Sequence, residues 1–147
     1  MFKRILAAID GSDHSMKAAE AAIDLAHVYA SDLTLLHVTR RLELPDQLKE
    51  YLKSEHLSRE DLPGFDEATK RIIDDVRIKA EARGLKGIKT IFREGKPARS
   101  IVEYARSAGI DAIVMGSRGL SEFESVLLGS VSHKVASLAD CTVVIVK

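Results

Sequence analysis

Gly116, Gly119, Gly129 and Ser130 stand in the spacing Gly-x2-Gly-x9-Gly-Ser, and they carry the clearest chemical signal in the chain. Glycines let a backbone come close to a large anion and permit left-handed dihedrals that turn successive N–H groups inward. Gly129 and Ser130 stand where a helix is expected to begin, and a helix start offers unpaired N–H donors and a positive dipole end to a phosphate. The Ser130 and Ser132 hydroxyls are further donors, and Arg118, between the first two glycines, can reach a phosphate. Two glycine turns separated by a nine-residue flap would hold a polyphosphate from both sides. The plainer alternative is that these glycines only turn the chain between a strand and a helix.

The elements that must position this loop follow from hydrophobic periodicity. Ile5–Ile9 is a short apolar run of the kind that forms a strand buried on both faces. Asp10-Gly11-Ser12-Asp13 ends it, and Ser12 or Asp13 can cap the helix that follows. Met16, Ala19, Ile23, Ala26 and Ala30 form that helix's apolar stripe. Leu33–Val38 reads as the second strand. A second long helix, with Asp66 as cap, turns Ile72, Ile73, Val76 and Ala80 inward and stops at Gly84. Ile88–Phe92 is the third strand. Pro97 suits the first turn of a third helix, with Ile101, Val102, Ala105 and Ala108 inward. Ala112–Met115 is the fourth strand, a helix begins near Ser130, and Thr142–Val146 is the fifth strand.

Strands alternating with helices predict an α/β fold: a five-stranded doubly wound parallel sheet, helices on both faces, Rossmann-like, in the order 3-2-1-4-5. Residues 1–147 read as one domain. The stretch 40–64 differs, with eleven of its 25 residues charged and with Pro45 and Pro63 near its ends. Leu48, Tyr51 and Leu52 allow a short amphipathic helix there, weakened by the like-charge pairs Asp46/Glu50 and Lys49/Lys53. The stretch reads as a charged excursion at one end of the sheet, either a solvated loop or a lid over a ligand. In open parallel sheets ligands bind beyond the carboxyl ends of the strands, where strand order reverses. Asp10, Val38 and the segment from Gly116 occupy those ends.

Composition narrows the class. The chain has 147 residues, 22 Lys plus Arg against 22 Asp plus Glu, and 46% hydrophobic residues. A zero formal charge argues against a general nucleic-acid binder, which needs a basic excess. Cys141, the single cysteine, allows no intrachain disulfide and reads as a buried structural thiol. No apolar run approaches the ~20 residues a membrane span needs, and the start MFKRILAAID is too short in its apolar part for a secretion signal, so a cytoplasmic protein is expected. The five histidines show no metal-ligand spacing, so no metal site of protein ligands is expected.

Taken with Ile9-Asp10-Gly11-Ser12 at the end of the first strand and Leu36-His37-Val38 at the end of the second, the glycine signature within GSRGLSEFESVLLGSVS resembles the universal stress protein family, ATP-binding subgroup, from Phe2 to Lys147. The resemblance implies that Asp10 contacts a ribose and that the backbones of Ala8 and Val38 bracket an adenine. It also implies that Met115, Gly116, Gly119, Gly129, Ser130 and Val131 line the phosphates. It implies ATP, with Mg²⁺, as the ligand, and a stress-response or signalling role served through an unknown protein partner. Glu122 and Glu124 depart from the small or basic residues common in the flap. They would weaken a triphosphate unless they point outward or help hold Mg²⁺.

Catalysis is not built into the sequence in any recognisable form. The Walker run G-x4-G-K-[S/T] is missing, and Asp10-Gly11-Ser12-Asp13-His14-Ser15 lacks the second glycine of the ATP-pyrophosphatase loop. His14 and Ser15 have no identifiable partner for nucleophilic work. A slow intrinsic ATPase is the enzyme alternative, and a nucleotide-independent dimeric interaction module is the other. The fifth strand, β-branched almost throughout, is expected at the sheet edge, where it would pair with a second copy as a homodimer.

Overall fold

The computed structural model describes residues 1–40, 45–57, 67–119 and 128–147. The elements in chain order are β1 (Arg4–Ala8), α1 (Asp13–Tyr29), β2 (Asp32–Thr39), α2 (Asp46–Ser54), α3 (Glu67–Ala82), β3 (Lys89–Glu94), α4 (Pro97–Ser107), β4 (Ala112–Gly116), α5 (Ser130–Leu138) and β5 (Thr142–Val146). All strand pairs are parallel, in the expected order β3-β2-β1-β4-β5.

The period of two along each strand divides the apolar residues between two cores. Ile5, Ala7, Leu33, Leu35, Ala112 and Val114 face one core with α1 and α3, where Ile23, Ile73 and Val76 pack. Leu6, Leu36, Ile113 and Met115 face the other with α4 and α5, where Ile101, Val102 and Val135 pack. Helices on both faces therefore bury Ile5–Ala7 of β1 and Leu33–Leu36 of β2, and β4 is buried along its whole length.

Local chemistry sets the helix ends. The Ser12 side chain accepts the Ser15 N–H and caps α1, so Ser12 and not Asp13 is the cap. The buried face of α1 is Ser15, Ala18, Ala19, Ala22, Ile23 and Ala26, a wider stripe than the sequence reading gave. Met16 is only partly buried, and Ala30 leaves the helix at φ 52 as its exposed C-cap. The expected cap Asp66 lies outside the described residues, while Ile73, Val76 and Ala80 of α3 are buried as expected. Within the charged excursion a helix does form. In α2, Leu52 is buried while Tyr51 stays exposed.

Strand ends differ from expectation by one or two residues. β1 stops at Ala8, although the Ile9 N–H still donates to Leu36 O at 2.9 Å. β3 runs on to Glu94 and is largely exposed, as befits an edge strand. Two N-terminal amides, those of Lys3 and Arg4, donate to one Asp111 carboxylate oxygen at 2.8 and 2.9 Å, fastening β1 to the start of β4.

Candidate functional site

β1, β2 and β4 are neighbours in the sheet, so their carboxyl ends open onto one place. There a cavity of about 350 Å³ lies. Its apolar walls come from Ala8, Leu36, Val38, Ile101, Met115 and Val131, and its polar rim from Asp10, Arg118, Gly119 and Gly129. Every residue singled out from the sequence lines it except Ser130, which opens α5 on the exposed side. The cavity also takes in Ile9, Ser15, Leu36, His37, Thr39, Arg40, Pro97 and Ile101, to which sequence reasoning gave no role at a ligand.

The reason for the glycines differs from the expectation. Gly116 and Gly119 do not take positive φ, and Gly129 sits at φ −67, ψ 164, open to any residue. Close approach within the protein is what Gly116 serves: a Cβ there would lie 2.7 Å from the backbone carbonyl carbon of His14. At Gly119 a Cβ would lie 2.8 Å from Asp10 Oδ2. The first turn of α1 and the Asp10 carboxylate thus press directly onto the turn after β4.

Asp10 is held in a local net. Its Oδ1 accepts the Ser12 N–H at 2.9 Å and the Ser12 hydroxyl at 2.5 Å, which leaves Oδ2 beside Gly119 at the cavity. Carboxylate oxygens accept only, so Oδ2 suits a hydroxyl or amino group of a ligand, or a cation.

The second glycine turn is tied to the first through Ser117. The Ser117 carbonyl accepts the Gly129 N–H at 2.6 Å and the Ser132 hydroxyl at 2.9 Å. Ser132 is 2% exposed and also donates to Gly129 O at 3.1 Å, so its hydroxyl braces the loop and is not a spare donor to an anion. Gly129 caps α5 without a side-chain bond, and no acid stands in the first turn of α5. The half-buried Arg118 has its Nε enclosed by protein with no hydrogen-bond partner. Arg118 lines the cavity, and its guanidinium charge suits an anion there.

The His37 Nδ1–H donates to Ile9 O at 2.7 Å. This fixes the ring against the end of β1, where His37 lines the cavity. Glu122 and Glu124 lie outside the described residues. Among the described residues no group of three or more His, Cys, Asp or Glu side chains could enclose a metal ion, and no helix is long and apolar enough to cross a membrane.

A doubly wound parallel sheet with an apolar cleft and a polar loop rim at its strand-order switch defines the Rossmann-like class of α/β proteins. Comparison with known proteins narrows this. The universal stress protein family matches residues 1–147, and the chain belongs to that family. It is 36% identical over 158 residues to universal stress protein YxiE of Bacillus subtilis, with 100% of each chain covered. Among solved structures, the universal stress protein UspA from Lactobacillus plantarum superposes with a TM-score of 0.81 at 25% identity, covering 99% of this chain and 98% of that one. A universal stress protein in complex with cAMP superposes at 0.74 and 27% identity, covering 99% and 97%.

Proposed function

We propose that this protein binds an adenine nucleotide, ATP in the first instance, in the cavity at the ends of β1, β2 and β4. In this reading it acts as a dimeric regulatory module of the stress response in the cytoplasm. The observation that carries the reading is the division of one cavity into an apolar slot and an anion-seeking rim. Ala8, Val38, Ile101 and Met115 suit the faces of a flat base. Asp10 Oδ2 suits a ribose hydroxyl, and the start of α5, with no side-chain cap and no acid in its first turn, suits phosphate together with the Arg118 charge at the rim. The cAMP complex of a relative is consistent with an adenine ligand.

Mg²⁺ would arrive with the phosphates, since this ion commonly keeps several waters and needs only one or two carboxylates. Bound nucleotide supplies charge and hydrogen-bonding groups to the rim. The chain's own residues orient it and shield one side of the base. In this reading the protein is a binder rather than a fast catalyst, with slow intrinsic hydrolysis as its enzymatic limit.

The experiment is mass identification of the nucleotide released from purified protein by mild denaturation. An adenine nucleotide at near one per chain supports the reading. A different anion, or none together with no binding of added ATP, AMP or cAMP, favours an interaction module without a nucleotide.

A further inference from the structure

The loop after β1 and the turn after β4 meet residue against residue. Asp10 Oδ2 lies against Gly119, the Ser12 hydroxyl reaches Arg118 O at 3.5 Å, and the backbone of His14 packs on Gly116. The fourth contact is between side chains: Ser117 Oγ and His14 Nδ1 are 3.2 Å apart.

Ser117 is 1% exposed, and all its polar groups are engaged. Its N–H donates to Val146 O at 2.8 Å, and its carbonyl accepts the Gly129 N–H and the Ser132 hydroxyl. For its hydroxyl, His14 Nδ1 is the only partner among the described residues. A buried O–H needs an acceptor, so His14 takes the tautomer with the proton on Nε2, and Nδ1 accepts from Ser117.

We infer that His14 is a positioning residue for the ligand loop: through its Nδ1 it fixes Ser117, and through Ser117 it sets the spacing between the two glycine turns. The inference rests on the nucleotide reading for its effect on affinity, but its structural half stands apart. Without the pin the buried Ser117 hydroxyl is left unpaired and the turn can leave its place. Ligand affinity then falls in proportion to the fraction of time the turn is competent.

The test compares His14→Ala with His14→Asn, whose Oδ1 can stand where Nδ1 stood, in two measurements on the full chain. Amide exchange of Gly129 in ligand-free protein reads the loop directly. Titration with MgATP reads the site. Loss of the pin should speed Gly129 exchange about tenfold in His14→Ala and weaken MgATP about tenfold, the size expected for one buried donor left unpaired. His14→Asn should restore both to within about threefold of wild type. Ser117→Ala removes the donor, and in that background His14→Ala should have no further effect.

Unchanged Gly129 exchange in His14→Ala overturns the inference whatever the affinity does, as does an Asn variant that behaves like Ala. Should His14→Ala fail to fold, Gly129 exchange in Ser117→Ala decides in the same way. If wild type binds no MgATP, the nucleotide reading fails, and the exchange measurement alone settles the role of His14.

Discussion

Replacing Gly119 by valine puts a Cβ 2.8 Å from Asp10 Oδ2, closer than such atoms stand in real proteins. One side must give way. If the carboxylate retreats, it strains the bonds that Ser12 N–H and Ser12 Oγ make to Oδ1 at 2.9 and 2.5 Å. Losing one hydrogen bond to a charged group costs about 1.5–3 kcal/mol. At about 1.4 kcal/mol per factor of ten, MgATP affinity should fall roughly 10–100-fold. If instead the turn retreats, Arg118 moves from the cavity rim, with loss in the same direction. The two valine methyls also take space at the rim, so Gly119→Ala should fall between wild type and valine. The turn lies outside both cores, so the fold should survive, as far-UV circular dichroism and a thermal melt would show. Isothermal titration with MgATP is the assay. A folded Gly119→Val protein with the wild-type Kd would refute the reasoning and reduce the signature to a turn.

Other outcomes can be stated briefly. Gly129→Val should also weaken MgATP while folding, through occupied space alone, since φ −67 suits valine; an unchanged Kd in titration counts against the rim assignment. ATP turnover should stay far below the ~1–100 s⁻¹ of kinases, and a rate inside that range, lost on mutation of a loop residue, would place the protein among enzymes. The β5 edge, paired only with β4 among the described residues, should support a homodimer by light scattering at micromolar concentration. One at least of Val143→Pro, Val144→Pro and Ile145→Pro should split it, and a dimer indifferent to all three would reject this interface. The Lys3 and Arg4 amides hold the Asp111 carboxyl below the usual carboxylate range. Its stabilising contribution is therefore full above the unfolded value of about 3.9 and is lost as pH falls through the folded one. Urea melts should show Asp111→Asn less stable than wild type at neutral pH and the difference shrinking on acidification; a difference constant with pH would contradict the assignment.

The order of the sheet was legible because the signals that set it are local. Apolar runs such as Ile5–Ile9 and Thr142–Val146 mark buried strands, and amphipathic segments between them mark crossovers. The rules for parallel connections then leave few arrangements. The site was legible for the same reason, since residues just after β1, β2 and β4 must converge once those strands are neighbours. What stayed hidden depends on distant packing. Ile101 and Pro97 reach the cavity only because α4 covers the face of β2 and β4. The contact between His14 and Ser117 joins residues 103 positions apart, and no spacing announces it. Ser132 has the composition of an anion donor, but its burial turns it into a brace for Ser117. The glycines were found by spacing, whereas their physical reason, the close approach of His14 and Asp10, needs both loops in place. Residue type alone could not tell a turn that spares room for an anion from one that spares room for a neighbouring helix.

The central claim is that the cavity beyond β1, β2 and β4 holds an adenine nucleotide. Titration of nucleotide-stripped protein with MgATP, with GTP as the competitor of like charge, tests it most directly. One MgATP per chain should bind saturably, in preference to GTP and more weakly in Gly119→Val. Absence of saturation at millimolar MgATP, or equal binding by the valine variant, would contradict it.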